Sequence, residues 1–499
     1  MKWLPFSATL ALALAVRLPG IGWGLPPATQ QVRASDFRSS YAFDEDDILS
    51  GAAKASVARL DFDPHEYHWG TLHIELVLMT LDSAQALGAF VVPWRAAYYN
   101  LVEGAFDRVY VVGRLVAVAA ALLTILFLWL IPNGGAVAAI LVAVSPAHVL
   151  QSDQVRVDAT MTAMLALTLL IATRFSTALT PRRSLFLGFA AGLAVAGKYS
   201  AISASAGLVL AALILARSHL LDWLSAVFGT VLGFIAGGPY IVIKPRSFYE
   251  EIHHYLSLNN QIPSGFLIAP ARLLELHFIN LVRFSLGVPA FLLACAGLIW
   301  MVRRRSPADW TILAGIAGYV AILFPLRWPL IRYDLPLAML LGFCAGVAIN
   351  RLPKRWRFPV SAIAIVMPLA GSIAQIHYMR APHPANVILA RILETVPPGT
   401  PISRLLREAP PLNLTTYPMG PNVLLDDIAK APPLWVLVSD LPDVPYKSST
   451  LNLLRASYDE VANACIQPIL SWSTLGASPA PHDWKYTHAA YTLYRRRTP

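Results

Sequence analysis

Four consecutive carboxylates, Asp44-Glu45-Asp46-Asp47, follow the first apolar segment of this chain. Charged side chains beside hydrocarbon are costly, so a cluster of acids at a membrane face indicates a function. An ionised carboxylate in a wet cavity can accept a proton from an attacking hydroxyl or amine, which is general-base catalysis. Asp44 or Glu45 could act in this way. The simpler interpretation, an acidic run that only keeps a loop solvated, stays open on spacing alone.

A second carboxylate and three cations mark the ends of later apolar segments. Asp158 opens one such segment, where the helix macrodipole alone also favours an acid. Arg114, Lys198 and Arg332 lie at comparable positions. Arginine offers a fork of N–H donors that matches phosphate oxygens, and lysine offers a point charge. These cations could bind the phosphate of a lipid-linked substrate, whereas the alternative for each is that it reaches toward lipid headgroups.

Histidines and acids in residues 61–75, together with His253 and His254, could offer metal ligands. Their spacing matches no standard metal site, so we favour polar packing of the loop; no cofactor is certain, and a divalent metal is left open. No Walker loop, dinucleotide-binding turn, HExxH motif or nucleophile elbow is visible. These absences argue against an ATP-driven transporter, a redox enzyme and a zinc protease.

The composition sets the class of protein that must position these residues. The chain has 499 residues, of which 56% are hydrophobic and only 14% charged, and its mean hydropathy is +0.55. Such a chain is too apolar for a soluble globule and predicts a multi-pass protein of the lipid bilayer. The net charge of +10 comes from short basic clusters between apolar runs. That pattern orients membrane helices, and no basic face with interleaved aromatics suggests nucleic acid as a partner.

The apolar runs predict a mainly α fold, a polytopic membrane bundle of about 11 transmembrane helices. Several runs are shorter than the ~20 residues that a straight crossing needs. The runs are residues 3–22, 109–131, 134–150, 157–173, 184–197, 199–216, 222–243, 281–302, 310–326, 335–350 and 358–376.

The basic loops predict the topology. If residues 72–92 form a membrane-surface helix and the N-terminus is cytoplasmic, every strongly basic short loop falls inside. The acidic cluster then lies in a long first external loop, residues 23–108. A transmembrane domain covers residues 1–376, and residues 377–499 form a small extracytoplasmic α/β domain. In that domain we expect a helix near residues 386–395 and strands at 434–439 and 489–494.

The chain resembles the membrane-embedded GT-C glycosyltransferases that use lipid-phosphate sugars, in particular the superfamily of protein O-mannosyltransferases and aminoarabinose (lipid A) transferases. The order of several short motifs carries the resemblance. They are Val16-Arg17-Leu18-Pro19, Phe43-Asp44-Glu45, Val112-Gly113-Arg114-Leu115, Ser145-Pro146-Ala147-His148-Val149, Arg156-Val157-Asp158, the stretch from Gly192 to Gly197-Lys198-Tyr199, and Arg332-Tyr333-Asp334-Leu335-Pro336.

The resemblance implies an inverting transfer of a sugar from a polyprenyl-phosphate donor to an acceptor in the cell envelope. It implies that Asp44 is the catalytic base, that Glu45 shapes the site and that Asp158 orders the acceptor side. It further implies that Arg114 and Lys198 contact the donor phosphate. Arg332 is a candidate substrate-binding residue from its position at a segment end.

The chain has Tyr67-His68-Trp69-Gly70 where O-mannosyltransferases carry a His-Pro-Pro-Leu element. This departure favours a bacterial enzyme of the inner (plasma) membrane over protein mannosylation. The alternative from another class is a transporter or flippase for lipid-linked saccharides. Such proteins commonly show inverted repeats, and none is visible in the sequence.

Overall fold

Helices make up most of the chain in the computed structural model, which describes residues 3–25, 44–100, 102, 104–260, 270–323, 330–405, 432–439, 448–467, 469–475, 483–484 and 490–497. The α-helices within these ranges are α1 (Trp3–Ala15), α2 (Glu45–Lys54), α3 (Thr71–Ala86), α4 (Trp94–Asn100), α5 (Phe106–Trp129), α6 (Gly135–Ala143), α7 (Pro146–Ser152), α8 (Val157–Phe175), α9 (Pro181–Gly197), α10 (Ala201–Leu215), α11 (Leu220–Ala236), α12 (Tyr240–Ile243), α13 (Pro245–Asn260), α14 (Pro270–Ile279), α15 (Gly287–Arg304), α16 (Pro307–Leu323), α17 (Leu335–Arg351), α18 (Lys354–Arg380), α19 (Pro384–Thr395) and α20 (Ser448–Ser457). A π-helical stretch, Asn280–Leu286, joins α14 to α15, and a 3₁₀ turn, Ile331–Asp334, leads into α17.

The long apolar helices confirm a mainly α, multi-pass membrane bundle. Among the described residues, 5 helical stretches are long and apolar enough to cross a membrane, and the pair α6 and α7 would make a sixth. Four shorter apolar helices accompany them. The predicted runs match these helices closely, although the total of about 11 spans stays a prediction. Residues 26–43 of the first loop, including Phe43, and residues 324–326 of one predicted span lie outside the described residues.

The pair α6 and α7 bends by 64° at Ser145 and Pro146. Pro146 has no N–H to continue α6, and Ser145 caps α7 because its Oγ accepts a hydrogen bond from the backbone N–H of His148. Carbonyl groups at the C-terminal ends of α1 and α6 also have a hydrogen-bond partner. The buried Arg17 side chain donates to the carbonyl oxygens of Ala13 and Ala143, at 3.0 and 2.8 Å. A cation at the C-terminal ends of α1 and α6 complements both helix dipoles.

Helices α9 and α11 approach each other through glycines. A Cβ atom added at Gly192 would lie 2.1 Å from the carbonyl oxygen of Thr230, and one added at Gly233 would lie 2.1 Å from that of Phe189. Small residues at such positions let two membrane helices pack backbone to backbone. The end of α9 at Gly197, beside Lys198, is thereby held against a second helix.

A small sheet completes the C-terminal part. Its strands are β1 (Ile402–Leu405), β2 (Trp435–Ser439), β3 (Tyr458–Ala464) and β4 (Tyr491–Arg496), in the order β1-β2-β4-β3. β1 pairs with β2 in parallel, and β4 pairs antiparallel with both β2 and β3. The expected strands at 434–439 and 489–494 correspond to β2 and β4, and the expected helix to α19. Residue 489 itself lies outside the described residues.

The C-terminal part and the ends of the membrane helices share one apolar core. Its buried residues come from both regions, among them Leu150, Phe284, Ile331, Leu335, Ile388, Leu389, Trp435, Leu437, Trp484 and Leu493. Burying apolar surface stabilises such a junction by about 25 cal/mol for each Å² that is removed from water. The C-terminal part is therefore fixed relative to the membrane bundle.

We predict that Gly192→Ala lowers the thermal stability of the detergent-solubilised protein. The added methyl group would meet backbone atoms that cannot move without separating α9 from α11, and overpacking of this kind costs about 1–3 kcal/mol. Gly342→Ala is the matched control, because its added Cβ would find its nearest neighbour at 3.8 Å. An equal melting temperature for both variants would contradict this packing.

Candidate active site

Asp44 immediately precedes α2 and lies between two arginines. Arg156 Nη1 is 3.0 Å from its Oδ2 atom, and Arg332 Nη1 donates a hydrogen bond to the same oxygen. The Asp44 side chain is 23% exposed, whereas those of Arg156 and Arg332 are 2% and 8% exposed. Two guanidinium groups stabilise a carboxylate charge. The arrangement places a carboxylate, flanked by two cations, where water reaches it.

Glu45, the next residue, is fully buried and forms a bidentate ion pair with Arg114. Arg114 Nε and Nη2 donate to the two carboxylate oxygens at 2.8 and 2.7 Å. The backbone N–H of Val155 donates to the same carboxylate at 2.7 Å. The remaining Nη1 of Arg114 donates to the carbonyl oxygens of Ile21 and Trp23, both at 2.8 Å. This ion pair therefore ties together α2, α5, the end of the first helical segment and the turn before α8.

Arg114 thus differs from what the resemblance implies. Its guanidinium is buried and bonded to Glu45 and to two carbonyl groups, so in this structure it faces no cleft and could reach a donor phosphate only by leaving Glu45. Its expected contact with the donor phosphate stays a prediction. The Glu45 carboxylate lies at the start of α2, directly beside Asp44, and its expected role in shaping the site stays a prediction.

Asp158 and Lys198 form the second charged pair. Lys198 Nζ donates to Asp158 Oδ1 at 2.6 Å, with the lysine side chain 13% exposed and the aspartate 1% exposed. Lys198 Nζ also lies 4.7 Å from the ring centroid of Tyr333, the residue that follows Arg332. The 3₁₀ turn that carries Arg332 to Asp44 therefore also carries an aromatic ring to Lys198.

A narrow cleft lies between the two charged pairs. Trp69 forms one wall, and the Arg332 guanidinium lies 5.9 Å from its ring centroid. Its lining residues are Asp44, Ile48, Trp69, Val155, Arg156, Val157 and Asp158. The structure thus brings Asp44, Asp158, Lys198 and Arg332 to one site.

Sequence reasoning missed two residues of this site. Arg156 lies two positions before Asp158, in the motif Arg156-Val157-Asp158. Its position immediately before α8, on the side of the acidic cluster Asp44–Asp47, could have indicated it. Trp69 lies in the segment 61–75 that we examined for metal ligands. Nothing local to Trp69 indicates that it meets Arg332, because the two residues are far apart in the sequence.

Asp46 is half-buried behind the cleft. Tyr110 donates a hydrogen bond to its Oδ1 atom, and Tyr98 lies 3.4 Å from the same oxygen. Burial raises the pKa of Asp46 to about 7, although the hydrogen bonds from Tyr110 and Tyr98 oppose the shift. Repulsion from Glu45 and Asp47 adds to the effect of burial.

One group of side chains outside the cleft could hold a metal ion. Glu66, His68 and Glu251 bring one ligand atom each to within 4.8 Å of one another. The group joins the segment before α3 to α13. His253 and His254, also on α13, are exposed and are not part of this group.

Ion pairs account for this group without a metal. His68 Nδ1 lies 2.5 Å from Glu251 Oε1, and Lys54 Nζ donates to Glu66 Oε1 at 2.6 Å. Burial alone would lower the pKa of His68, but its interactions with the carboxylates of Asp47 and Glu251 outweigh burial and raise the pKa to about 9. A protonated imidazole supplies the positive charge that the neighbouring carboxylates need.

We predict that Asp46→Asn stabilises the protein more at about pH 8 than at about pH 4.5. The unfolded aspartate releases its proton near pH ~3.9, whereas the folded one keeps it until about 7, so the wild type loses stability as the pH rises through this window. Asparagine cannot ionise and can still accept a hydrogen bond from Tyr110. Melting temperatures at both pH values test this, with Asp459→Asn as the exposed control. If Asp46→Asn raised the melting temperature by the same amount at both pH values, that result would contradict the raised pKa of Asp46.

The chain is similar in fold to several solved structures, and it spans less than half the length of one of them, AftD. ArnT from Cupriavidus metallidurans bound to undecaprenyl phosphate is 14% identical, with a TM-score of 0.47, over 98% of this chain and 97% of that one. The oligosaccharyltransferase of Archaeoglobus fulgidus in the apo form is 11% identical, with a TM-score of 0.46, over 99% of this chain and 89% of that one. The arabinofuranosyltransferase AftD from Mycobacteria is 13% identical, with a TM-score of 0.40, over 100% of this chain and 40% of that one. Likenesses this distant carry no argument about substrates.

No curated protein matches the chain by sequence. Residues 88–243 match the profile of a family described as dolichyl-phosphate-mannose-protein mannosyltransferase. The matched segment contains Arg114, Asp158 and Lys198, and Asp44 precedes it. Over residues 88–243 the chain is therefore similar to this mannosyltransferase family, and the match confirms the resemblance for that part of the sequence.

Proposed function

We propose that the protein transfers a sugar, with inversion, from a polyprenyl-phosphate donor to an acceptor of the cell envelope. The observation that carries the proposal is the position of Asp44, a partly exposed carboxylate between two buried guanidinium groups at the edge of a cleft. A match to a glycosyltransferase family over residues 88–243 supports the same reaction class. The donor class follows from the resemblance and from the phosphate-matching chemistry of the cations.

In this mechanism Asp44 is the general base. The acceptor's oxygen or nitrogen bonds to the anomeric carbon while its proton passes to Asp44. The bond between the anomeric carbon and the phosphate oxygen breaks on the opposite face, and its electron pair stays on the phosphate. Polyprenyl phosphate leaves as an anion, so no second carboxylic acid has to protonate it, unlike in glycoside hydrolysis.

Arg332, Arg156 and Lys198 would stabilise the leaving phosphate. The two arginines now share Oδ2 of Asp44, and Lys198 is bonded to Asp158. A donor phosphate would compete with these carboxylates for the same donors. Its arrival would loosen the cations from Asp44 and leave that carboxylate ready to accept a proton. Asp158, buried beside the cleft, would then orient the acceptor side.

We place the site on the extracytoplasmic face of the inner membrane. The distribution of basic loops supports this orientation, because it puts residues 23–108 and 377–499 outside. A lipid-linked donor would present its headgroup at this membrane surface, beside Trp69 and the external helix α13.

We expect Asp44→Asn to lower the turnover rate by about 10³-fold, as loss of a general base typically does. The assay supplies purified protein with a panel of polyprenyl-phosphate sugars and follows the release of polyprenyl phosphate. Binding of undecaprenyl phosphate should persist, because both arginines remain. Glu250→Gln, an exposed acid on α13, is the control and should turn over normally. Normal turnover of Asp44→Asn with a genuine donor would refute the assignment of the base.

We expect Arg332→Ala to weaken binding of undecaprenyl phosphate by about tenfold or more, because it removes a charge-assisted hydrogen-bond donor. Titration in detergent micelles measures the dissociation constant. Arg246→Ala is the matched control, since this arginine is 91% exposed on α13 and pairs with Glu250. Equal dissociation constants for Arg332→Ala and the wild type would show that Arg332 does not bind the phosphate.

A further inference from the structure

The C-terminal part of the chain places a carboxylate directly behind the cleft. Asp483 is fully buried, and its Oδ1 atom accepts a hydrogen bond from the backbone N–H of Ile331 at 2.9 Å. Its Oδ2 atom accepts one from the backbone N–H of Arg332 at 3.1 Å. Gln151 Nε2 lies 3.4 Å from Oδ2 and connects the carboxylate to α7. One side chain thus holds both N–H groups at the start of the 3₁₀ turn.

The neighbouring residue fixes Asp483 in place. Trp484 is buried, and its ring centroid lies 4.7 Å from that of Phe284 in the π-helical stretch. Trp484 belongs to the apolar core that the C-terminal part shares with the membrane helices. A buried tryptophan of this size anchors its neighbours firmly. Asp483 is therefore a rigid support for the turn that it binds.

The turn carries Arg332 to Asp44. Because Asp483 bonds the backbone N–H of Arg332 itself, it fixes the point from which that side chain extends. The Arg332 guanidinium then passes Trp69 and Tyr333, with ring centroids 5.9 and 5.6 Å away, and meets Asp44. A carboxylate at the N-terminal end of the helix that continues into α17 is also favoured by the helix dipole.

We propose that Asp483 is a positioning residue, which fixes the backbone of Arg332 so that its guanidinium is aligned with Asp44 and with the donor phosphate. The C-terminal domain then contributes to the geometry of the active site. In this proposal Asp483 acts through the backbone of Arg332 and not on the substrate itself. This inference rests on the proposed function, since it assigns a role within the same site.

The test is a double-mutant cycle on binding of undecaprenyl phosphate, a measurement that does not depend on turnover. The variants are Asp483→Asn, Arg332→Ala and the double variant, each purified as a monodisperse full-length chain. Asparagine keeps the size of the side chain but loses the charge and one acceptor oxygen. Asp459→Asn, an exposed carboxylate of the same domain, is the control. Melting temperatures are recorded for all variants, and binding is measured well below the lowest of them.

We expect Asp483→Asn to raise the dissociation constant by about three- to tenfold in the presence of Arg332 and to leave it unchanged in the Arg332→Ala background. A role that is only structural would weaken binding by the same factor in both backgrounds, and that result would overturn the inference. Wild-type affinity of Asp483→Asn would overturn it as well, while leaving the proposed function intact. Wild-type protein that binds no polyprenyl phosphate would overturn the proposed function and this inference together.

Discussion

The ion pair between Glu45 and Arg114 is the interaction on which the rest of the site depends. Both side chains are completely buried, so each would be strongly destabilising without the other. Bidentate geometry, one backbone N–H and two carbonyl oxygens satisfy most of their hydrogen-bonding groups. Such a pair adds little net stability compared with apolar residues, but it has a specific geometry. It holds the first loop against α5, and Asp44 can reach the cleft only from that position.

Charge balance organises the residues around this pair. Asp44 lies against two arginines, and Asp158 lies against Lys198, so every acid that lines the cleft has a cationic partner. Pairs of this kind cost less to place at a membrane surface than isolated charges. They also present to an incoming phosphate several donors that are already oriented. In such a site a donor phosphate can take the place of a carboxylate beside the cations, so the positive charges stay compensated.

The sequence predicted the helical class, most helix positions and the grouping of Asp44, Asp158, Lys198 and Arg332, because hydrophobic periods and charges at segment ends are local signals. It did not predict that Arg114 is buried against Glu45, because that contact depends on how α2 packs on α5. Asp483 carried no signal at all. Its partners, Ile331 and Arg332, are some 150 positions away, and only the completed fold shows that they meet.

The strand order of the small sheet bears on how the nascent chain matures. β4 is the last strand in the sequence, yet it lies between β2 and β3 and pairs with both. The sheet therefore stays incomplete until residues 491–496 have been synthesised. Its apolar face, in turn, needs the ends of the already inserted membrane helices as a partner. Assembly of this region is consequently a late event in biogenesis, and the charged cleft reaches its final arrangement only after synthesis has passed the last strand.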